Sequence, residues 1–291
     1  MAEAVSRMSV RFSMAFLAGL MAVPALAQNL PGEIDRIEDY REDYGQDGPE
    51  TESEDLRAGP RPPWTFQMRF AGDWRTNRDL SQDDPRPGAT IAPDISLWRR
   101  WSIGGLRLFT EFGAIAPTSL TDSRLDSSGL FGTFELEGGT PGAGVVPYVA
   151  WEPWRAYDGT FESHIVTLHT FSAGIRRSWG PTFLDVHARR QEATIDLAER
   201  TSIGATAFHN LPLGRGVLNL RGEIEGRRFD WRPTGRERQL RTRLRVRAIL
   251  PLSHAVDMQL TADLHRTDSN LPGQSFTNFI IGPTILARLG F

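Results

Sequence analysis

The chain ends with the stretch Asn278-Phe279-Ile280-Ile281-Gly282-Pro283-Thr284-Ile285-Leu286-Ala287-Arg288-Leu289-Gly290-Phe291, and this stretch decides the fold. Successive side chains of a β-strand point to opposite faces, so residues of one parity share a face. Here one parity is apolar throughout and includes Phe279, Ile281, Ile285, Ala287, Leu289 and Phe291. The pattern predicts a strand with one apolar face that closes on an aromatic residue.

A strand of this kind, with Leu289 and Phe291 at its end, resembles the C-terminal signal of bacterial outer-membrane β-barrels, which their assembly machinery reads. The resemblance is to this class of proteins and not to one family. It implies a place in the outer membrane of a Gram-negative bacterium. The partners that it implies are outer-membrane lipid and the barrel assembly machinery.

The same two-residue period runs through residues 64–291, beginning with Phe66, Met68 and Phe70. A barrel strand needs about 9–11 residues to cross a membrane, and most of the periodic segments are that long. We therefore predict an all-β fold, a closed antiparallel transmembrane β-barrel of about 12 strands, with about 10–14 as the range. The segments are 64–77, 89–101, 104–115, 129–137, 145–154, 161–176, 181–192, 200–209, 216–228, 238–250, 255–266 and 276–291.

The links between these segments alternate in length. Short links such as 102–105 and 251–254 alternate with longer polar links such as 80–88 and 116–128. Bacterial barrels keep both termini and the short turns in the periplasm, and place the longer loops outside. A loop that folds inward, such as 116–128, is expected to narrow the interior.

Tryptophans mark both ends of the predicted strands. Aromatic side chains favour the two membrane interfaces, where they form girdles around a barrel. Beside the short links lie Trp64, Trp101 and Trp179, and beside the long links lie Trp74, Trp151, Trp154 and Trp231.

The N-terminal part divides into two segments ahead of the barrel. Residues 1–27 have the charged start, apolar centre and Ala-Leu-Ala ending of a secretory signal peptide. Residues 28–63 have a net charge of −7, which predicts a disordered periplasmic leader, whereas residues 64–291 carry +3. The leader is expected to contact a periplasmic partner, to enter the barrel as a plug, or to be a plain flexible segment.

The most charged inward face is predicted in the segments 216–228, 238–250 and 255–266. An arginine on the lipid side at the bilayer midplane costs about 2–4 kcal/mol, so the arginine-bearing face should line the lumen. The predicted solute-binding residues are Arg221, Arg227, Arg241, Arg243, Arg245 and Arg247. The predicted acidic partners in lumen ion pairs are Glu223, Glu225, Asp257 and Asp263.

Two uses of this face stay open from the sequence. One is a ladder of ion pairs: folding the hairpin about its loop midpoint places Glu225 opposite Arg243. The same register places Glu223 opposite Arg245 and brings Asp263 near Arg243. The other is a track of guanidinium groups that attracts anions. The pattern looks like the basic strips of twelve-stranded outer-membrane channels for acidic oligosaccharides, although no motif of those channels is matched.

The preferred function is a small channel for polar or anionic solutes. The alternative is a non-conducting structural barrel, or an accessory for polymer export or surface assembly. An outer-membrane lipid hydrolase is less favoured, since a nucleophilic serine needs a histidine within hydrogen-bond reach, and Ser163 and His164 point to opposite faces of a strand. The sequence has no cysteine and no glycine-rich phosphate loop before a helix, so no catalytic residue, metal, cofactor or nucleic-acid partner is predicted.

Overall fold

The computed structural model describes residues 64–78, 80, 84–122, 126–138, 144–231 and 235–291. The predicted signal peptide (1–27) and acidic leader (28–63) lie outside the described residues. Within the described part, no helix is long and apolar enough to cross a membrane.

Strands make up most of the described chain. A single turn of 3-10 helix, Asp196–Ala198, is also present. The strands are β1 (Thr65–Arg75), β2 (Gly88–Ile103), β3 (Leu106–Ile115), β4 (Thr118–Ser119), β5 (Ser127–Gly138), β6 (Val145–Asp158), β7 (Ser163–Trp179), β8 (Thr182–Ala193), β9 (Arg200–Leu213), β10 (Gly216–Phe229), β11 (Arg238–Pro251), β12 (Val256–Ser269) and β13 (Phe276–Gly290).

The twelve long strands form one closed antiparallel barrel, as the sequence predicts. Each long strand pairs with the next, and β1 pairs with both β2 and β13, so the sheet has no free edge. At this closing seam, Trp64 and Phe291 exchange two backbone hydrogen bonds of 3.2 and 3.1 Å. The side chains of Leu289 and Phe291 are exposed beside the seam. Closure gives hydrogen-bond partners to the backbone N–H and C=O groups at the strand edges, and lipid could not supply such partners. The short strand β4 pairs with β2 outside the ring.

Side chains alternate between an inward and an outward face along every long strand. The outward face of each carries exposed apolar residues, which together form a continuous band around the barrel. A soluble protein rarely exposes so much apolar surface, whereas a membrane barrel presents it to acyl chains. Members of the band include Met68, Phe70, Ile95, Phe112, Leu136, Val149, Phe171, Val186, Ile203, Leu220, Leu244, Leu264 and Ile281.

The tryptophans predicted to form two girdles lie on the outward face, with one exception. Trp74, Trp151 and Trp231 are exposed towards the long-loop end. Trp154 is instead buried on the inward face and stacks on Phe131, with ring centroids 5.7 Å apart. The assignment of Trp154 to a girdle is wrong because its parity on β6 is opposite to that of Trp151.

Most connections sort by length to the two ends of the barrel, but the six-residue link 139–144 at the short-turn end is longer than the four-residue link 159–162 at the long-loop end. At the short-turn end, where Trp64 and Phe291 also lie, tight turns join β2 to β3, β7 to β8 and β9 to β10. Gly105 adopts a φ of 86° in the first of these turns, a conformation that favours glycine. The long-loop end carries the segments 76–87, 116–126, 159–162, 194–199, 230–237 and 270–275.

The loop expected to narrow the interior, 116–128, is described only in part, because residues 123–125 lie outside the described residues. The described part of 116–126 pairs along β2, with Leu120 N donating to Ala89 O at 2.9 Å. The β8–β9 loop enters the interior, where Leu197 and Ala198 are buried.

Candidate functional site in the barrel interior

Strand β11 carries a row of inward arginines. Arg241, Arg243 and Arg245 are buried, and Arg247 follows on the same parity nearer the short-turn end. The strand takes this orientation because the opposite one would place four guanidinium groups against lipid. Three of their outward neighbours on the strand are exposed and apolar, namely Leu240, Leu244 and Val246.

The register between β10 and β11 differs by two residues from the one predicted. Glu225 lies opposite Arg241, and Glu223 lies opposite Arg243. The predicted pairs, Glu225 with Arg243 and Glu223 with Arg245, are therefore wrong. The conformation of the connecting loop fixes the register of a hairpin. The alternation of residue types does not show that conformation.

Asp263 of β12 binds two of these arginines. Its Oδ2 accepts a hydrogen bond from Nε of Arg243 at 2.6 Å and from Nε of Arg245 at 2.8 Å. All three side chains are buried. One carboxylate thus holds two successive inward arginines against the barrel wall.

Glu225 is the most enclosed carboxylate on β10, with 1% of its surface exposed. It accepts hydrogen bonds from Arg227 Nε and from Ser202 Oγ, both at 2.6 Å. Arg189 Nη1 lies 3.6 Å from the same carboxylate. Burying a carboxylate is costly unless donors surround it; here β9 and β10 each contribute a hydrogen-bond donor, and β8 contributes a nearby guanidinium group.

The remaining predicted site residues lie on the same inward faces. Arg221 Nη2 is 3.5 Å from Glu223 Oε2. Asp257 accepts a hydrogen bond of 2.9 Å from Arg288 Nη1 on β13. Sequence reasoning did not include Arg288 in the site, although its parity within the terminal strand already marks it as inward.

Arginines outnumber carboxylates on the inward side of β9 to β13, which we call the arginine wall. Eight arginines and five carboxylates lie there, an excess of three positive charges. The arginines are Arg200, Arg221, Arg227, Arg241, Arg243, Arg245, Arg247 and Arg288. The carboxylates are Glu223, Glu225, Asp257, Asp263 and, just before β11, Glu237.

Arg221 in this wall and Arg189 beside it keep substantial access to the interior space. The side chain of Arg221 is 28% exposed, and that of Arg189, on the adjoining strand β8, is 32% exposed. Sequence reasoning missed Arg189, although its parity with Asp185 and His187 places it inward. These two side chains can meet a solute without first leaving a buried position.

The opposite wall of the barrel is acidic. Strands β3, β5 and β6 carry Glu111, Glu135, Glu137 and Glu152 on their inward faces against Arg107. In the strand order, five strands separate β5 from β11 on either side, so these two strands face each other. The interior is therefore polarised from a carboxylate-rich wall to the arginine wall.

Arg176 from β7 neutralises part of the acidic wall. It donates to Glu135 at 2.5 and 2.8 Å, to Glu137 at 2.9 Å and to Asp185 at 2.8 Å. Asp185 also accepts from Tyr148 Oη at 3.2 Å. The spacing of Glu135 and Glu137, two residues apart in a predicted strand, is the sequence signal that could have identified this cluster.

An apolar cluster, which we call the apolar cap, lies in the interior at the long-loop end. Its strand residues all fall in the long-loop half of their strands, and the β8–β9 loop adds Leu197 and Ala198. Gln191 Nε2 fixes that loop by donating to Ala198 O at 2.8 Å. The cap consists of Ala71, Ala92, Ile115, Phe131, Trp154, Ala156, Val166, Leu168, Leu197 and Ala198.

His164, considered above for hydrolase chemistry, and two further histidines have partners other than serine. His164 Nε2 lies 3.0 Å from Thr167 Oγ1, and His169 Nδ1 accepts from Trp151 Nε1 at 3.4 Å. His187 Nδ1 lies 2.6 Å from Asp185. None of these three contacts joins a serine. In the described part of the chain, no group of three His, Cys, Asp or Glu side chains is arranged to hold a metal ion.

Comparison with known proteins identifies the fold. No family model and no curated protein matches the chain. A solved outer membrane channel from Pseudomonas putida F1 is 13% identical, with a TM-score of 0.55, over 81% of this chain and 98% of that chain. The likeness shows that the chain has the fold of outer-membrane β-barrels, as the sequence predicts.

Two further solved structures match less closely. The translocator domain of the autotransporter NalP from Neisseria meningitidis is 10% identical, with a TM-score of 0.47, over 81% of this chain and 92% of that chain. Outer membrane phospholipase A from Escherichia coli is 11% identical, also with a TM-score of 0.47, over 76% of this chain and 92% of that chain.

Proposed function

We propose that the chain is a protein of the Gram-negative outer membrane that forms a narrow channel for small polar solutes and favours anions. The observation that carries this proposal is the excess of three positive charges on the arginine wall. Fixed guanidinium groups inside a barrel raise the local concentration of anions and hold carboxylates or phosphates through paired N–H donors.

Arg189 and Arg221 are the arginines that contact the solute in this proposal. Both are partly exposed, while each also lies near a carboxylate, Glu225 or Glu223 respectively. The ladder of ion pairs and the anion track are thus compatible. The ladder holds buried arginines such as Arg243 and Arg245 in place, and the two accessible arginines act on solute.

The apolar cap is the observation that favours the alternative, a non-conducting barrel that serves envelope structure or polymer export. Apolar side chains fill the long-loop end across six adjacent strands, β1 to β7 apart from the outer strand β4, and the β8–β9 loop. In the channel proposal the cap is a gate, and the structure represents its closed state. Measuring conductance with and without an intact cap decides between the two functions.

The proposal is tested by refolding the chain into planar lipid bilayers and measuring reversal potentials in a potassium chloride gradient. The wild type and Leu197→Ala, which weakens the cap, should conduct with a preference for chloride. Adding Arg189→Gln and Arg221→Gln should lower that preference severalfold. Arg177→Gln is the matched control because Arg177 is exposed on the outward face, near Trp179.

Two results would overturn the channel proposal. The first is the absence of conductance in both the wild type and Leu197→Ala. The second is an ion preference that stays unchanged when Arg189 and Arg221 are replaced. Acidic sugars added to one chamber should reduce the wild-type current, and neutral sugars of the same size should do so less.

The processing and assembly of the chain stay predictions. A periplasmic leader at 28–63 is supported by the position of Trp64 at the short-turn end, where the described barrel begins. The exposed side chains of Leu289 and Phe291 are accessible to assembly machinery at the closing seam.

A further inference from the structure

Two arginines meet on the outer surface of the barrel at its long-loop end. Arg228, near the end of β10, lies directly opposite Arg238, the first residue of β11. Both have outward parity and are exposed. Side chains directly opposite in an antiparallel pair have Cβ atoms about 4.5–5.5 Å apart, and like charges at that separation repel. We call these two residues the rim arginine pair.

The neighbouring outward arginines are neutralised within the chain. On one side Arg190 forms ion pairs with Asp230 and, at 3.4 Å, with Glu199. On the other side Arg266 binds both oxygens of Asp268, at 2.8 to 3.0 Å. The three acidic side chains beside these arginines, Asp230, Glu199 and Asp268, are thus already engaged.

The rim arginine pair itself forms no ion pair with any residue that the structure describes. Its two positive charges are placed side by side at the surface without a carboxylate between them. Such an arrangement costs energy in the isolated chain, and an external anion would remove that cost.

The position of the pair indicates which anion. Below it, towards the barrel middle, the outward face is apolar and exposed at Ile224 and Leu240, and above it Trp231 lies exposed in the loop. Tryptophans and the end of the apolar band mark the level of lipid headgroups. An anion at this level therefore has its acyl chains beside Ile224 and Leu240.

We propose that the rim arginine pair binds the phosphate group of an anionic membrane lipid. Guanidinium groups match phosphate oxygens with paired N–H donors, and two of them suit a phosphate monoester better than a zwitterionic headgroup. The proposal rests on the membrane location proposed above and not on conduction, so the two can fail separately.

The test uses the full chain refolded in a neutral detergent, with diphosphoryl lipid A as the probe and native mass spectrometry to measure bound lipid. The double variant Arg228→Gln/Arg238→Gln should lower lipid affinity by about tenfold or more, because it removes two charge-assisted contacts. The control Arg177→Gln, an exposed outward arginine at the short-turn end, should bind like the wild type.

Two further measurements distinguish binding of a lipid phosphate from binding of free phosphate or of acyl chains. Dephosphorylated lipid A with the same acyl chains should bind as weakly to the wild type as to the double variant. Millimolar inorganic phosphate should not displace the bound lipid. Displacement would assign the site to free phosphate, and equal binding of both lipid A forms would assign it to acyl chains; either result overturns the proposal.

Thermal unfolding is a second test of the proposal. It still applies if the double variant behaves differently from the wild type in detergent. Without lipid, the double variant should melt at the same temperature as the wild type or higher, since a repulsive pair is gone. With lipid A, only the wild type and Arg177→Gln should gain stability. An equal gain in the double variant would contradict the proposal.

Discussion

Gly282 lies on β13 beside the closing seam, where the chain leaves no room for a side chain. A Cβ built at this position would come within 1.9 Å of Gly72 O and 2.7 Å of Asp73 Cα, both backbone atoms of β1. The following residue, Pro283, has no N–H to donate to a neighbouring strand. The paired positions Ala71 with Thr284 and Trp74 with Ile281 flank this close approach.

Gly282→Ala should therefore destabilise the barrel by about 1–3 kcal/mol, as overpacking does when backbone has to move. The matched control is Gly72→Ala on the partner strand, where the nearest atom to the added Cβ is Thr90 O at 4.0 Å. Urea unfolding in lipid vesicles, followed by tryptophan fluorescence, measures both variants. Equal stabilities would show that the seam accommodates a methyl group at either position.

At the scale of the element, the β8–β9 loop closes the long-loop end. Leu197 and Ala198 enter the interior, and the loop is tied down where Asp230 N donates to Glu199 O at 3.1 Å. Outside, Arg190 bridges Glu199 and Asp230. The loop is thus attached to both β8 and the β10–β11 connection, as the channel proposal requires of a gate with a defined closed position.

Leu197→Ala should raise the single-channel conductance of the barrel, because it removes the largest loop side chain from the apolar cap. It should also lower the stability of the barrel by about 2 kcal/mol or more, the usual cost of a buried leucine. Leu252→Ala, in an exposed turn at the opposite end, is the control and should change neither quantity. A conductance equal to that of the wild type would mean that Leu197 does not block a pathway.

The strands were largely predictable from the sequence, but the register in which neighbouring strands pair was not. The segments predicted at 216–228 and 238–250 match β10 and β11 almost residue for residue, because strict alternation shows both the face and the extent of a strand. The pairing of Glu225 with Arg241 depends on loop geometry, which has no such period. The inward β8–β9 loop was also missed, since Asp196-Leu197-Ala198 is too short to show a pattern.

At the scale of the whole molecule, burial is inverted relative to a soluble protein. Charged side chains such as Glu225, Arg241 and Asp263 are almost fully enclosed, while Leu244 and Ile203 are among the most exposed apolar residues. These enclosed charges are tolerable because Glu225 and Asp263 each accept hydrogen bonds from arginine donors. The exposed band requires acyl chains around it, so the barrel's stability should depend on whether a substitution faces lipid.

Leu244→Arg tests this dependence at the middle of the band. Leu244 is 63% exposed, has outward parity on β11 and lies opposite Gly222 and Leu264. An arginine there would have to remain in the hydrocarbon region, and the barrel in lipid vesicles should lose about 2–4 kcal/mol. Urea titration of the refolded protein in vesicles gives this value directly.

The control for that substitution is Leu252→Arg, which makes the same chemical change at a residue of similar exposure in the β11–β12 turn. Because this turn lies outside the apolar band, the cost should be within about 0.5 kcal/mol of zero, as for ordinary surface sites. If Leu244→Arg were as harmless as the control, the outward face would be meeting water and not acyl chains. The membrane location, and with it both the channel and the lipid-binding proposals, would then have to be abandoned.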